Sequence, residues 1–90
     1  MSVPIDGVWQ RIAQHQGERF ETVTGRPFTY AVSEDVLRTD RTDFNLPISQ
    51  FEKALGLLPA SGPGEWSKAL RGPSYIYAIL HDARVRKTDW

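Results

Sequence analysis

The string Arg71-Gly-Pro-Ser-Tyr-Ile-Tyr-Ala-Ile-Leu80 sets two tyrosines behind a helix-start signature, in a stretch rich in cations. After Glu65 come Lys68, Arg71, Arg84, Arg86 and Lys87 against Asp82 and Asp89, a net charge of +3 that the first 65 residues offset with −3. Cations in such a cluster neutralise phosphates, and hydroxyl or aromatic side chains among them contact bases. The order of the segment is that of a helix-turn-helix: a short helix with an inward Ala69, a turn at Gly72, and a second helix opened by Ser74. In that reading Ser74, Tyr75 and Tyr77 face base edges, and Lys68, Arg71, Arg84 and Arg86 hold phosphates. The spacing departs from the motif, because Ala69 and Gly72 are three apart rather than four. A packed helix pair with no such role accounts for the same residues, and a charged stretch is often no more than a solvated face.

Other chemistries find less to work with. There is no cysteine, which excludes disulfides, thiolate metal sites and cysteine catalysis. His15 and His81 are the only histidines, and neither has the further ligands at short spacing that zinc requires. His15, near a predicted helix end, reads as a cation at the negative end of the dipole. Ser74, His81 and Asp82 lack the strained nucleophile turn of a hydrolase. Ser61-Gly-Pro-Gly64 lacks the lysine and leading strand of a phosphate loop. The chain therefore reads as a non-enzyme with no cofactor and no metal.

The 90 residues allow one domain, spanning 1–90, that buries about 60–65% of its unfolded surface. Ten aromatic residues compensate for that small core. Eleven basic and eleven acidic residues cancel, so no global field draws the chain to nucleic acid or anionic lipid. No apolar run approaches the roughly 20 residues of a membrane span, and the N-terminus has no signal-peptide pattern. With no cysteine to staple so small a domain, the expected setting is the cytoplasm.

The elements follow from periodicity. Ile5, Val8, Trp9, Ile12 and Ala13 form one helical stripe, with Ser2 as cap, Pro4 in the first turn and Gly17 as left-handed stop. From Glu18 to Asp40 β-branched and aromatic residues predict a three-stranded antiparallel meander. Its turns lie at Thr24-Gly-Arg-Pro27 and Ser33-Glu-Asp35. Arg38 to Asn45 is a polar connector. Ser49 and Glu52 match a capping box ahead of Phe51, Ala54, Leu55 and Leu58, a helix over 49–58. Pro59 to Gly64 is a loop, Trp66 to Leu70 a short helix stopped by Gly72, and Pro73 the first residue of the last helix. The tail over 82–90 frays unless Val85 or Trp90 docks. The expected core is Trp9, Ile12, Phe20, Phe28, Tyr30, Val32, Phe51, Leu55, Leu58, Ile76, Ile79 and Leu80.

Phe28-Thr-Tyr-Ala-Val32, Asn45-Leu-Pro-Ile-Ser-Gln-Phe-Glu-Lys-Ala-Leu55 and Arg71 to Val85 together resemble a set of small bacterial proteins, frequent in actinobacteria, with no established activity. The resemblance spans Trp9 to Val85. It implies a bacterial source and a free-standing fold, and it carries no functional residue across. The expected architecture is α+β: an N-terminal helix, the meander as a wing, then helices that include a helix-turn-helix-like pair, winged-helix-like as a whole. Its expected partner is nucleic acid. The alternative is an interaction module that binds itself or another protein through an uncovered sheet face or an exposed aromatic patch.

Overall fold

The computed structural model describes residues 4–87 and Trp90, and it has an α+β fold. The expected cap Ser2 lies outside the described residues. Helix α1 runs from Ile5 to Gln14 and buries Val8, Trp9 and Ile12, the centre of the apolar stripe. Asp6 in its first turn and Arg11 in its last complement the helix dipole. The chain then turns through Gly17 at φ +84°, a conformation that glycine adopts without strain.

That turn positions the sheet. The Gly17 N–H donates to the Tyr30 carbonyl (2.9 Å), and the Val32 N–H donates to Gln16 Oε1 (3.1 Å). The Tyr30 hydroxyl donates to the Ile12 carbonyl (2.6 Å), and Trp9 Nε1 donates to the Glu34 carbonyl (2.8 Å). Burial raises the pKa of the Tyr30 hydroxyl, which keeps it a donor. Helix α1 is thus tied to the sheet by backbone and side chain alike.

The expected single meander is two separate units. Strands β1 (Phe20–Glu21) and β2 (Pro27–Phe28) form a short ribbon with Phe20 opposite Phe28. Strands β3 (Tyr30–Ser33), β4 (Val36–Thr39) and β5 (Leu46–Pro47) form an antiparallel sheet with β4 in the centre. The break falls at Thr29, whose N–H goes to Asp40 Oδ1 (2.9 Å). The third strand of the sheet comes from beyond the polar connector, with Leu37 opposite Leu46. Pro47 lacks an N–H and sits at the edge, where none is needed.

Helix α2 (Ile48–Gly56) begins as β5 ends. The expected capping box is not formed. The helix starts one residue before Ser49, its N-cap is Pro47, and no side chain caps it. Pairing of β5 with β4 decides this: it carries the Ile48 N–H to the Asp35 carbonyl (2.7 Å), so a tertiary partner takes an orphan amide. Phe51, Ala54 and Leu55 are buried, and the Phe51 ring meets Trp9 edge-on at 5.3 Å.

The short helix expected over Trp66 to Leu70 is a single 3₁₀ turn, Pro63–Trp66, extended by bonds from the Ala69 and Leu70 N–H groups to the Trp66 carbonyl. Ser61 donates from its N–H and its hydroxyl to the Glu65 carboxylate, which shapes this turn. Gly72 is the N-cap of helix α3 (Pro73–Leu80) at φ +63°, and Ile76, Ile79 and Leu80 are buried. In the tail, Val85 is fully buried and Trp90 Nε1 donates to the Leu80 carbonyl at 2.8 Å; residues 88 and 89 lie outside the described residues.

Candidate nucleic-acid interface

The seven residues singled out in the sequence divide into different environments. Arg84 is committed to the fold. Its Nε and Nη2 donate to the two Asp82 oxygens (2.9 and 3.0 Å), Nη1 to Glu18 (3.1 Å) and Nη2 to the Arg19 carbonyl (2.8 Å). Its guanidinium also lies 3.7 Å over the centroid of Phe20. The hydrogen bonds from Arg84 hold the Asp82 carboxyl below its ordinary range, and the Asp82 bond in turn raises Arg84. Glu18 is lowered, first by His15 Nδ1 at 2.9 Å and then by Arg84. His15 is thus paired with a carboxylate as well as set at the end of α1.

Arg86 is exposed and donates through Nε to the Trp90 carbonyl (2.9 Å). Lys68 is exposed in the turn after the 3₁₀ segment. Tyr77 is half-buried, stacked on His81 at 4.0 Å and tilted against Trp66 at 5.6 Å. Ser74 is exposed on the first turn of α3. Arg71 is exposed, with its guanidinium 4.3 Å over the Phe44 ring, and its backbone N–H donates to Gln50 Oε1.

Tyr75 stands apart from its neighbour Tyr77. It lies in the first turn of α3, half-buried, with its ring edge-on to Phe28 at 5.1 Å. It lines an open cleft of about 310 Å³ together with Arg26, Pro27 and Arg41. Arg41 Nε donates to the Pro27 carbonyl (3.0 Å), which pins the guanidinium across the end of the β1–β2 ribbon. The side chain of Arg26 makes no ion pair or hydrogen bond among the described residues, and neither do the Arg41 Nη groups or the Tyr75 hydroxyl. Two forked cations and an aromatic ring therefore converge with no acidic side chain in the lining. Asp40 is nearby in sequence, but its Oδ1 is taken by the Thr29 N–H.

A second cleft, of about 400 Å³, is lined by Arg19, Phe20, Glu21, Asp82 and Arg84. Its charges are paired within the molecule, Arg19 with Glu21 at 3.2 Å and Arg84 with Asp82, so it offers an anion little. No cluster of three or more His, Asp or Glu residues among the described residues is placed to hold a metal ion.

Arg26 and Arg41 are absent from the sequence-derived set. Arg26 sits in the Gly25-Arg26-Pro27 turn and Arg41 in the connector, where both read as loop chemistry. No periodicity links them to Tyr75; the strand-to-ribbon switch at Thr29 brings them together. The chain matches no protein-family model, no curated protein and no solved structure. Among the described residues, no helix is long and apolar enough to cross a membrane.

Proposed function

We propose that the protein binds nucleic acid, through the cleft of Arg26, Arg41 and Tyr75. The observation that carries this reading is the convergence, in a cleft with no acidic residue in its lining, of one half-buried aromatic ring with the Arg26 guanidinium and the Arg41 Nη groups, which have no partner among the described residues. Guanidinium matches phosphate bidentately, and an aromatic ring offers a base a stacking or edge contact. The chain has no net charge, so attraction is local and affinity modest. A cytoplasmic setting agrees with the cysteine-free composition.

The winged-helix mode draws little support, because the first helix of its pair is one 3₁₀ turn and Arg84 is spent on Asp82, Glu18 and Arg19. The protein-interaction alternative is also less favoured. The outer edge of β3 is occupied by Gly17 and Gln16, and Val23 and Leu57 are the exposed large apolar side chains among the described residues.

The test is a fluorescence-anisotropy titration with mixed-sequence DNA at two salt concentrations. With two or three phosphates neutralised, a fourfold rise in salt weakens binding roughly tenfold. Arg26→Gln/Arg41→Gln loses at least tenfold in affinity, whereas Lys68→Gln changes little. Absence of binding by the wild-type protein to any nucleic acid would sink the reading.

A further inference from the structure

The first indication of the ligand's form is how little of α3 is free. Of its eight residues Ile76, Ile79 and Leu80 are buried, and Pro73, Tyr75, Tyr77 and Ala78 are half-buried, which leaves Ser74 exposed. A helix that reads duplex DNA lies in a major groove about 12 Å wide and 8.5 Å deep, and needs a bare face several residues long. Helix α3 has no such face. Its Tyr75 lines a concavity instead of standing out from the surface.

The concavity also has the wrong shape for a duplex. At about 310 Å³ it is at the lower end of small-ligand sites, room for a single unit. In a duplex the bases are stacked and present only their edges, whereas a single strand can turn one base out. The charge pattern agrees. Duplex DNA carries a charge every 1.7 Å or so of its axis and is met by an extended cationic stripe. Here two arginines line the cleft and Arg71 sits beside the same helix start, in a chain whose charges sum to zero. That suits one or two phosphates of a flexible strand.

The tyrosine chemistry points the same way. Tyr30 is spent on the Ile12 carbonyl and Tyr77 on His81 and Trp66. Tyr75 meets Phe28 edge-on and also lines the open cleft, and its hydroxyl has no partner among the described residues. Resting on the nucleic-acid reading, we infer that the ligand is single-stranded, with one unstacked base against Tyr75 and its phosphate between Arg26 and Arg41.

The experiment titrates the full chain into a labelled 12-nucleotide single strand and into the duplex of the same sequence, at one low salt concentration. Binding to the single strand is at least tenfold tighter than to the duplex. Tyr75→Leu weakens it about fivefold or more, the scale of losing one base–aromatic contact, and Tyr75→Phe keeps it, because the ring carries the contact. Adenosine monophosphate and a glutamate polymer of equal charge displace the strand poorly. Equal or tighter duplex binding overturns the single-strand inference and leaves the nucleic-acid reading standing. Displacement by the mononucleotide at the strand's own concentration overturns it in favour of a free nucleotide. Displacement by the glutamate polymer overturns it in favour of any polyanion. No binding to either DNA, nor to the 12-nucleotide RNA of the same sequence, overturns both readings. A folded Tyr75→Leu variant, checked by circular dichroism, that binds like wild type removes the base from Tyr75 and overturns the inference.

Discussion

At the scale of single residues, the arginines differ by what their forks already hold. By charge Arg84 is an obvious phosphate ligand, yet its donors are satisfied by Asp82, Glu18 and the Arg19 carbonyl. Its work is to fasten the segment after α3 to the start of β1. The Asp82 side of that clasp is pH-dependent. Hydrogen bonds from Arg84 depress the Asp82 pKa below its ordinary 3.8, so the folded state holds this proton less readily than the unfolded chain. The contribution is complete above that ordinary value and is lost as pH falls through the lowered one. Asp82→Asn therefore costs about 1 kcal/mol at neutral pH, and the gap to wild type closes below about pH 3.8. Urea denaturation midpoints of the two proteins across pH 2–7 check this; a gap that persists undiminished at the acid end would place the effect elsewhere. Arg26 and Arg41, by contrast, look like ordinary loop residues in the sequence, and only the fold gathers their free donors into one cleft with Tyr75.

At the scale of elements, local chemistry and tertiary context compete at each helix start. Helix α1 and the left-handed Gly17 stop follow directly from the stripe and the glycine. At α2 the local cap loses, because pairing of β5 delivers the Ile48 N–H to Asp35. At α3 the cap is Gly72 at φ +63°, where an added Cβ would stand 3.1 Å from Leu46 Cδ2. Gly72→Ala therefore costs about 1–2 kcal/mol through left-handed strain and the displaced leucine. Gly7 lies inside α1, exposed, and a methyl group added there would meet nothing within 4 Å. Gly7→Ala thus stabilises by about 0.5–1 kcal/mol. The opposite signs are read from thermal or urea unfolding of the two variants. Two destabilisations of equal size would mean that α1 does not accept alanine at its exposed face.

At the scale of the whole molecule, one cluster of buried residues joins α1, the ribbon, the sheet, α2, α3 and the docked tail. Phe51 is fully buried in it and carries the edge-on contact to Trp9, so it links α2 to α1. Phe51→Ala costs about 3–5 kcal/mol by lost transfer energy and the cavity left behind. Against the roughly 5–15 kcal/mol of ordinary domains, and with a core this small, that leaves little of the fold at 37 °C. Circular dichroism on heating reads it as a large drop in melting temperature; an unchanged transition would remove Phe51 from the core. The same compactness explains the covered surfaces of α3. In 90 residues a helix whose tyrosines pack on Phe28 and Trp66, and whose Ile76, Ile79 and Leu80 are buried, leaves Ser74 as its exposed residue and no long face to offer a groove.

Local sequence, as apolar periodicity and the placement of glycine and proline, determined the α+β class, the helical stripes of α1, α2 and α3, the glycine turns and most of the buried aromatic residues, because each depends on residues within a few positions. Only the tertiary structure decided the split of the meander at Thr29, the recruitment of Leu46–Pro47 as a strand and the helix caps, because these turn on hydrogen bonds between residues far apart in the chain. It also decided which cations are free. As residue types Arg26, Arg41, Arg71 and Arg84 are identical. Burial and partner geometry separate Arg84, held by carboxylates, from Arg26 and Arg41, which meet Tyr75 across a fold boundary.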